Sequence, residues 1–251
     1  GAASLAPYKR QFAIAFFLAA AQQFCGHPNV LAYSNEIFAQ LDPNGDTENG
    51  AAELAVGIGL VKFITTCIVI MRVDKGGRRL WLLSGMSCIL LSLSFLCVAF
   101  IGRDDADVGQ GADAPSSSPW RRHLGTIGIY GTAIGYAASF APLTWLITSE
   151  LFPPAIRGRA LGFATIVSYL SAGLVTRSFL SLSRDIGMAA CFGLYWTATL
   201  ASLFLAWLGV PDTKNTPEAI ERELNGMWLW RDGRPCLRCP APWRRGYQGK
   251  G

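Results

Sequence analysis

Gln22 and Gln23 stand side by side in an otherwise apolar stretch of the chain. A carboxamide both donates and accepts hydrogen bonds, so adjacent amides suit the hydroxyls of a sugar, whose C–H faces call for an aromatic wall beside them. Left unpartnered in apolar surroundings, each amide costs about 2 kcal/mol or more. The same pair serves equally well as interhelical hydrogen-bonding groups in a membrane bundle, and residue types alone leave those two readings level. Gly26 and Pro28 follow closely and predict a break or bend in that helix. Lys62 is the second unusual residue, lying near the centre of an apolar run. A bare charge there costs roughly 3 kcal/mol on insertion scales, which predicts a wet cavity or a partner. Both interfaces are too distant for snorkelling. Nothing points to covalent catalysis. His27 and His123 are isolated, no nucleophile stands beside a base, and the Cys236/Cys239 C-x-x-C lacks the second ligand pair of a zinc site. No enzyme activity, metal or cofactor is expected.

The elements that position these residues are long. Hydrophobic residues make up 51% of the 251, and they fall in runs of the length, about 18 residues or more, that crosses some 30 Å of hydrocarbon. Apolar stretches cover 12–38, 51–73, 80–101, 124–147, 160–182 and 188–210. Backbone groups in lipid must bond within their own segment, and the short alternating segments of a barrel are absent, so an all-α membrane protein of six transmembrane helices is expected. A soluble core would not need such runs. Cys25, Cys67, Cys88, Cys97 and Cys191 lie inside them as small apolar side chains.

The net charge of +5 sits in short connectors and comes with no nucleic-acid module, which excludes nucleic acid as the partner. Lys9, Arg10, Lys75, Arg78, Arg79, Arg157, Arg159, Lys214 and Arg222 fall on one set of connectors. The other set holds Arg103, Arg121, Arg122 and Arg184. The richer set is expected to face the cytoplasm, and both ends of a six-span chain then lie on that side, in the plasma membrane or an internal one. The connector at 102–122, rich in Asp, Gly, Pro and Ser, reads as a disordered external loop.

Four motifs then become specific. The segment Gln22-Gln23-Phe24-Cys25-Gly26-His27-Pro28-Asn29-Val30-Leu31-Ala32-Tyr33-Ser34 resembles the seventh helix of facilitative glucose transporters (solute carrier family 2), the sugar-porter branch of the major facilitator superfamily. Asp74-Lys75-Gly76-Gly77-Arg78-Arg79 resembles that family's acidic-basic-x-G-R-R loop. Pro142-Leu143-Thr144-Trp145 with Ser149-Glu150-Leu151-Phe152-Pro153 and Arg157-Gly158-Arg159 resembles its tenth helix and following loop. Val210-Pro211-Asp212-Thr213-Lys214 resembles its P-E-T-K element, with Asp for Glu. The four occur in family order over roughly Lys9 to Leu224. Pro28-Asn29, Lys62 and Thr144-Trp145 lean toward the subgroup of members ten and twelve, with ten the nearer. The tail at 225–251 resembles nothing and stands as an unassigned cytoplasmic segment.

The resemblance implies the C-terminal six-helix half of a hexose transporter, working by facilitated diffusion through alternating access, with D-glucose, a similar hexose or dehydroascorbate as cargo. It implies that Gln22 and Gln23 bind sugar and that the helix broken at Gly26 and Pro28 bends to close its outer side. Broken helices near mid-membrane recur in transporter sites. Asn29 comes one position later than the family's Asn. Tyr33 matches an outer-gate aromatic, with core packing as the alternative. Trp145 matches the Trp beneath the sugar, and Pro142 three residues earlier offers a local break to turn its indole inward; an interfacial belt is the other reading. Tyr169, after Ser168, falls on a second family aromatic that an Asn normally precedes. Lys62 replaces a usual amide and could donate to a sugar or dehydroascorbate oxygen, while Arg177 snorkels outward. Ala137 stands where some members carry a proton-coupling carboxylate, which favours uniport. Asp74, Arg78, Arg79, Glu150 and Arg157 match cytoplasmic ion pairs that hold two halves together. With the N-terminal half as the missing partner, beside sugar and bilayer, Glu150 and Arg157 are expected to lack their usual counter-charges. The alternative is a truncated chain without transport, or a receptor-like sugar-binding membrane protein.

Overall fold

The computed structural model describes residues 8–41, 47–101, 119–211 and 213. Outside that range lie most of the 102–122 connector, Asp212 and Lys214 of the P-E-T-K-like element, Arg103, Arg222, Cys236, Cys239 and the 225–251 tail.

All regular structure among the described residues is helical: α1 Lys9–Phe24, α2 His27–Ala32, α3 Ser34–Leu41, α4 Thr47–Gly76, α5 Arg78–Phe100, α6 Pro119–Ala138, α7 Phe140–Leu151, α8 Pro154–Ile186 and α9 Met188–Gly209. Four helical segments, within α4, α5, α8 and α9, are long and apolar enough to cross a membrane. The remaining two predicted spans, 12–38 and 124–147, are each divided: the first into α1, α2 and α3, the second into α6 and α7.

Both divisions have a proline as their cause. Pro28 has no N–H to give the carbonyl four residues back, that of Phe24, and its ring crowds it, so α1 ends at Phe24. Pro142 acts in the same way on Ala138, where α6 ends, and the chain turns at Ser139 before α7. Prolines also start helices. Pro154 opens α8, and Pro119 opens α6 five residues earlier than the apolar pattern predicts, taking Trp120, Arg121 and Arg122 out of the predicted loop. At the α4–α5 and α8–α9 joints, Gly77 and Gly187 hold φ of 82° and 81°.

The tightest seam is α5 against α6. Leu82, Met86, Ile89, Leu93 and Leu96 recur at helical spacing on the buried face of α5 and meet the Gly128, Ile129, Thr132 and Gly135 face of α6. A methyl group added at Gly135 would stand 2.8 Å from the Gly85 carbonyl, so these glycines set the distance of approach. α9 lies on the other side of α5, α8 and α7 pack on α1, and α4 packs on α6. Hydroxyls inside the bundle bond back to their own helix, as Thr132 does to Gly128 O at 2.7 Å and Thr199 to Tyr195 O at 2.7 Å. Large apolar side chains stay uncovered on α4 through Val56, Leu60, Phe63, Ile70 and Met71, on α8 through Phe163, Ile166, Leu170 and Leu174, and also on α5 (Leu91, Phe95) and α9 (Phe204, Trp207).

Candidate functional site

The break after α1 brings the two glutamines to the end of a helix. Gln22 Nε2 donates to Ser168 Oγ at 2.6 Å, and Gln23 Nε2 donates to the same oxygen at 2.9 Å. One hydroxyl of α8, buried in the α1–α8 seam, thus accepts from both amides through its two lone pairs. Gln22 is 2% exposed, yet its Oε1 has no partner. Gln23 is half-buried. Ser168 carries a sequence signal that was in view, since it falls where the family places an Asn.

Across the break the chain turns at Gly26, at φ 76°, and the ring of Tyr195 fills the space a Cβ there would need. Asn29 is fully buried: its Nδ2 donates to Tyr195 Oη at 2.7 Å and to Val175 O at 3.2 Å, and its Oδ1 is unpartnered. The structure thereby separates Asn29 from the glutamines and binds α2 to α8 and α9. Tyr33 stacks on Phe179 at 4.8 Å between centroids, and Phe179 stacks on Tyr195 at 6.2 Å, so Tyr33 makes a packing contact. Tyr195 went unnoticed in the sequence because a tyrosine in an apolar run carries no positional mark.

His27 is not isolated as the sequence suggested. Its ring stacks on Tyr136 of α6 at 3.7 Å and 14°, and Lys62 Nζ of α4 lies 5.8 Å from the centre of the same Tyr136 ring. His27 is buried, and its Nδ1 has no hydrogen-bond partner. Lys62 itself is half-buried. His123 is exposed on α6, and no group of three His, Cys, Asp or Glu among the described residues could hold a metal ion.

Trp145 is half-buried on α7, six residues past the Ser139 break. Its neighbour Thr144 is fully buried with an unpartnered Oγ1. Tyr169 points away from the seam that Ser168 enters and is 75% exposed. Two surface grooves lie apart from these residues, one of about 670 Å3 between α4 and α5 at Arg72, Lys75 and Trp81, the other of about 350 Å3 between α5 and α9.

The charged end of the bundle differs from expectation in one respect. Glu150 does not want for a partner: its Oε1 accepts from Arg78 Nη2 at 3.1 Å and Nε at 3.3 Å, and its Oε2 accepts from the Thr213 hydroxyl. The chain closes this cluster internally because the α4–α5 turn and the end of α7 meet there. Arg79 donates to Trp207 O, and Arg157 donates to Phe152 O at 3.4 Å. The side chain of Asp74 lies outside the described residues.

Residues 2–224 match the family described as sugar (and other) transporter. Similar proteins include solute carrier family 2, facilitated glucose transporter member 10 of Danio rerio, 29% identical over 86% of this chain and 48% of the relative. A glucose transport protein of Synechocystis is 30% identical over 78% of this chain and 40% of its own length. The facilitated trehalose transporter Tret1 of Drosophila yakuba is 30% identical over 89% of this chain and 24% of its own. Among solved structures, a proton:xylose symporter of the major facilitator superfamily bound to 6-bromo-6-deoxy-D-glucose superposes with a TM-score of 0.69, 24% identity, and coverage of 84% of this chain and 42% of that one. The inward-open xylose transporter of E. coli gives 0.66, 23%, 86% and 42%. The chain thus spans about half or less of the length of these relatives.

Proposed function

Since the chain belongs to the sugar transporter family and is an integral membrane protein with that fold, we propose that it forms one six-helix half of a transporter that moves a hexose by facilitated diffusion. In this reading α1–α3 and α6–α7 each make one broken span, which with α4, α5, α8 and α9 gives six. Both ends then lie in the cytoplasm, as the Lys and Arg distribution requires.

One observation carries the proposal. Four buried side-chain polar atoms lack partners among the described residues, and they belong to Gln22, His27, Asn29 and Thr144, all beside the two helix breaks. Buried polar groups are ordinarily satisfied, so orphans beside the two helix breaks support a ligand or water that completes them, with Gln22 Oε1 the one on the glutamine pair. A sugar hydroxyl can donate to Gln22 Oε1, and another can replace Ser168 as acceptor for Gln22 and Gln23. Trp145 offers an aromatic face to the ring, with Tyr169 and Lys62 on the surfaces turned toward the second half. Asn29 and Tyr33 frame the break. The uncovered apolar faces of α4 and α8 suit a second six-helix unit, across which Asp74, Arg79 and Arg157 would meet counter-charges while Arg78 and Glu150 hold each other. Alternating access then needs only that sugar binding favour one of two tilts of the halves. No bond is made or broken, so no catalytic residue is assigned.

Those uncovered faces also favour a second reading, a sugar-binding membrane protein that does not translocate alone. Radiolabelled hexose uptake by proteoliposomes, compared with Gln22→Ala/Gln23→Ala, decides between them. Saturable uptake lost in the variant supports transport by this chain. Hexose binding without uptake, restored to uptake by a complementary six-helix unit, supports the half-site. Absence of both binding and uptake in folded protein overturns the proposal.

A further inference from the structure

Lys62 is the one charge in the middle of its apolar run, whose other charges, Glu53 and Arg72, lie near its two ends. Its Nζ approaches the face of Tyr136, with His27 stacked on the same ring. No carboxylate lies within ion-pair distance of it among the described residues. Glu53 and Asp74 are the nearest acids in α4, nine and twelve residues away, or about 14 and 18 Å along the helix axis. The ion pair the structure does hold, Arg78 with Glu150, is at the charged end of the bundle. A cation–π contact offsets part of a desolvated ammonium and leaves its three N–H donors to find acceptors elsewhere.

The other polar groups near the break ask for the opposite. Gln22 Oε1 needs a donor, and the glutamine pair stands across the helix break from His27, whose ring shares Tyr136 with Lys62. One side of this region therefore wants hydroxyl donors, and the other wants acceptor oxygens carrying negative charge. A neutral hexose satisfies the first alone.

We propose that the site prefers an anionic sugar, a hexose carrying a carboxylate, over the neutral hexose, with Lys62 as the residue that sets this preference. The inference rests on the proposed sugar site and names its substrate class. The ligand's hydroxyls engage the glutamines while its carboxylate accepts from Lys62 Nζ, replacing water around both charges. Attraction between unit charges in a partly dry site outweighs screening in water, and the carboxylate supplies the counter-ion that the helices withhold.

The test is equilibrium binding of D-glucose, D-glucuronate and the neutral methyl ester of glucuronate to the full chain in detergent, by titration calorimetry. Glucuronate should bind about tenfold more tightly than glucose, a modest fraction of what close unlike charges can supply, and the ester should fall back to the glucose value. Lys62→Gln should abolish the preference, bringing glucuronate affinity down to that of the ester in the same variant, while Lys62→Arg should keep the preference. Glucose binding equal to or tighter than glucuronate binding overturns this inference alone, as does a preference that survives in Lys62→Gln or in the ester. Should Lys62→Gln not fold, the ester comparison decides. Failure of all three ligands to bind folded wild-type chain overturns the sugar site itself.

Discussion

Arg78 grips one carboxylate oxygen of Glu150 with two nitrogens, at 3.1 and 3.3 Å, across 72 residues of sequence. The two side chains are only 13% and 24% exposed, so the contact is more than a surface ion pair. It ties the α4–α5 turn to the end of α7, and Thr213 occupies the second oxygen of the same carboxylate. Arg78→Ala leaves Glu150 part-buried with the Thr213 hydroxyl, and it should cost about 1–3 kcal/mol. Thermal unfolding in detergent should show a clear drop, larger than that of Arg79→Ala, which removes a bond to one backbone carbonyl. Equal drops would show that the Glu150 cluster contributes nothing of its own.

Removing Ser168 discriminates between glue and ligand. Ser168→Ala takes away the acceptor of both glutamine amides and should destabilise the chain by roughly 1–3 kcal/mol. If the amides exchange Ser168 for a sugar hydroxyl, the variant has lost a competitor, and saturating hexose should raise its melting temperature by more than it raises the wild type's. A purely structural serine predicts the same hexose shift in both proteins.

Asn29 and Tyr195 should behave as a coupled pair. Tyr195→Phe removes the phenol oxygen that accepts from Asn29 at 2.7 Å, leaving Val175 O as the remaining acceptor. A loss of about 1 kcal/mol is expected for Tyr195→Phe. A double-mutant cycle with Asn29→Ala should return a coupling of roughly 0.5–1.5 kcal/mol. Additive losses would show the hydrogen bond to be energetically silent.

Glycines should divide by surroundings. A methyl group at Gly85 would stand 2.7 Å from the Gly135 carbonyl and still closer to Ser139, so Gly85→Ala must push α5 and α6 apart. A loss of about 1–3 kcal/mol is expected. Gly162 in α8 has open space at that position, and Gly162→Ala should be neutral or stabilising by up to about 1 kcal/mol. Similar melting shifts for the two variants would show that the α5–α6 seam yields more readily than its spacing indicates.

The helical fold was legible because length and apolarity announce membrane spans directly, and Pro28 announced the first break. The break at Ser139 was only half legible. Pro142 marked the neighbourhood, but a proline frees the carbonyl four residues back, so the turn lies upstream of the residue that causes it. Among the site residues, the glutamines stood out as amides in an apolar run. Their partner Ser168 was marked only by standing where the family has an Asn, since nothing local distinguishes a small hydroxyl that bonds across from one that bonds to its own helix. The His27–Tyr136–Lys62 contact joins three helices that are distant in sequence, and no periodicity within any one of them reveals it. The internal Arg78–Glu150 pairing was missed for a related reason: charge identity shows that a residue needs a counter-charge, and only packing shows which one is within reach.

Gly26 is closed to substitution on two independent counts. Its φ of 76° is a left-handed conformation that disfavours side chains, and a Cβ there would stand 2.5 Å from Tyr195 Cγ. Trimming Tyr195 would relieve the crowding and leave the backbone conformation disfavoured; relaxing the backbone would leave the collision. Tyr195 is in turn held by Asn29, so a tolerated change at position 26 has to be accompanied by changes at 29 and 195. In descendants of this chain the three positions should therefore drift as a unit or not at all, and a library that randomises position 26 alone should return glycine.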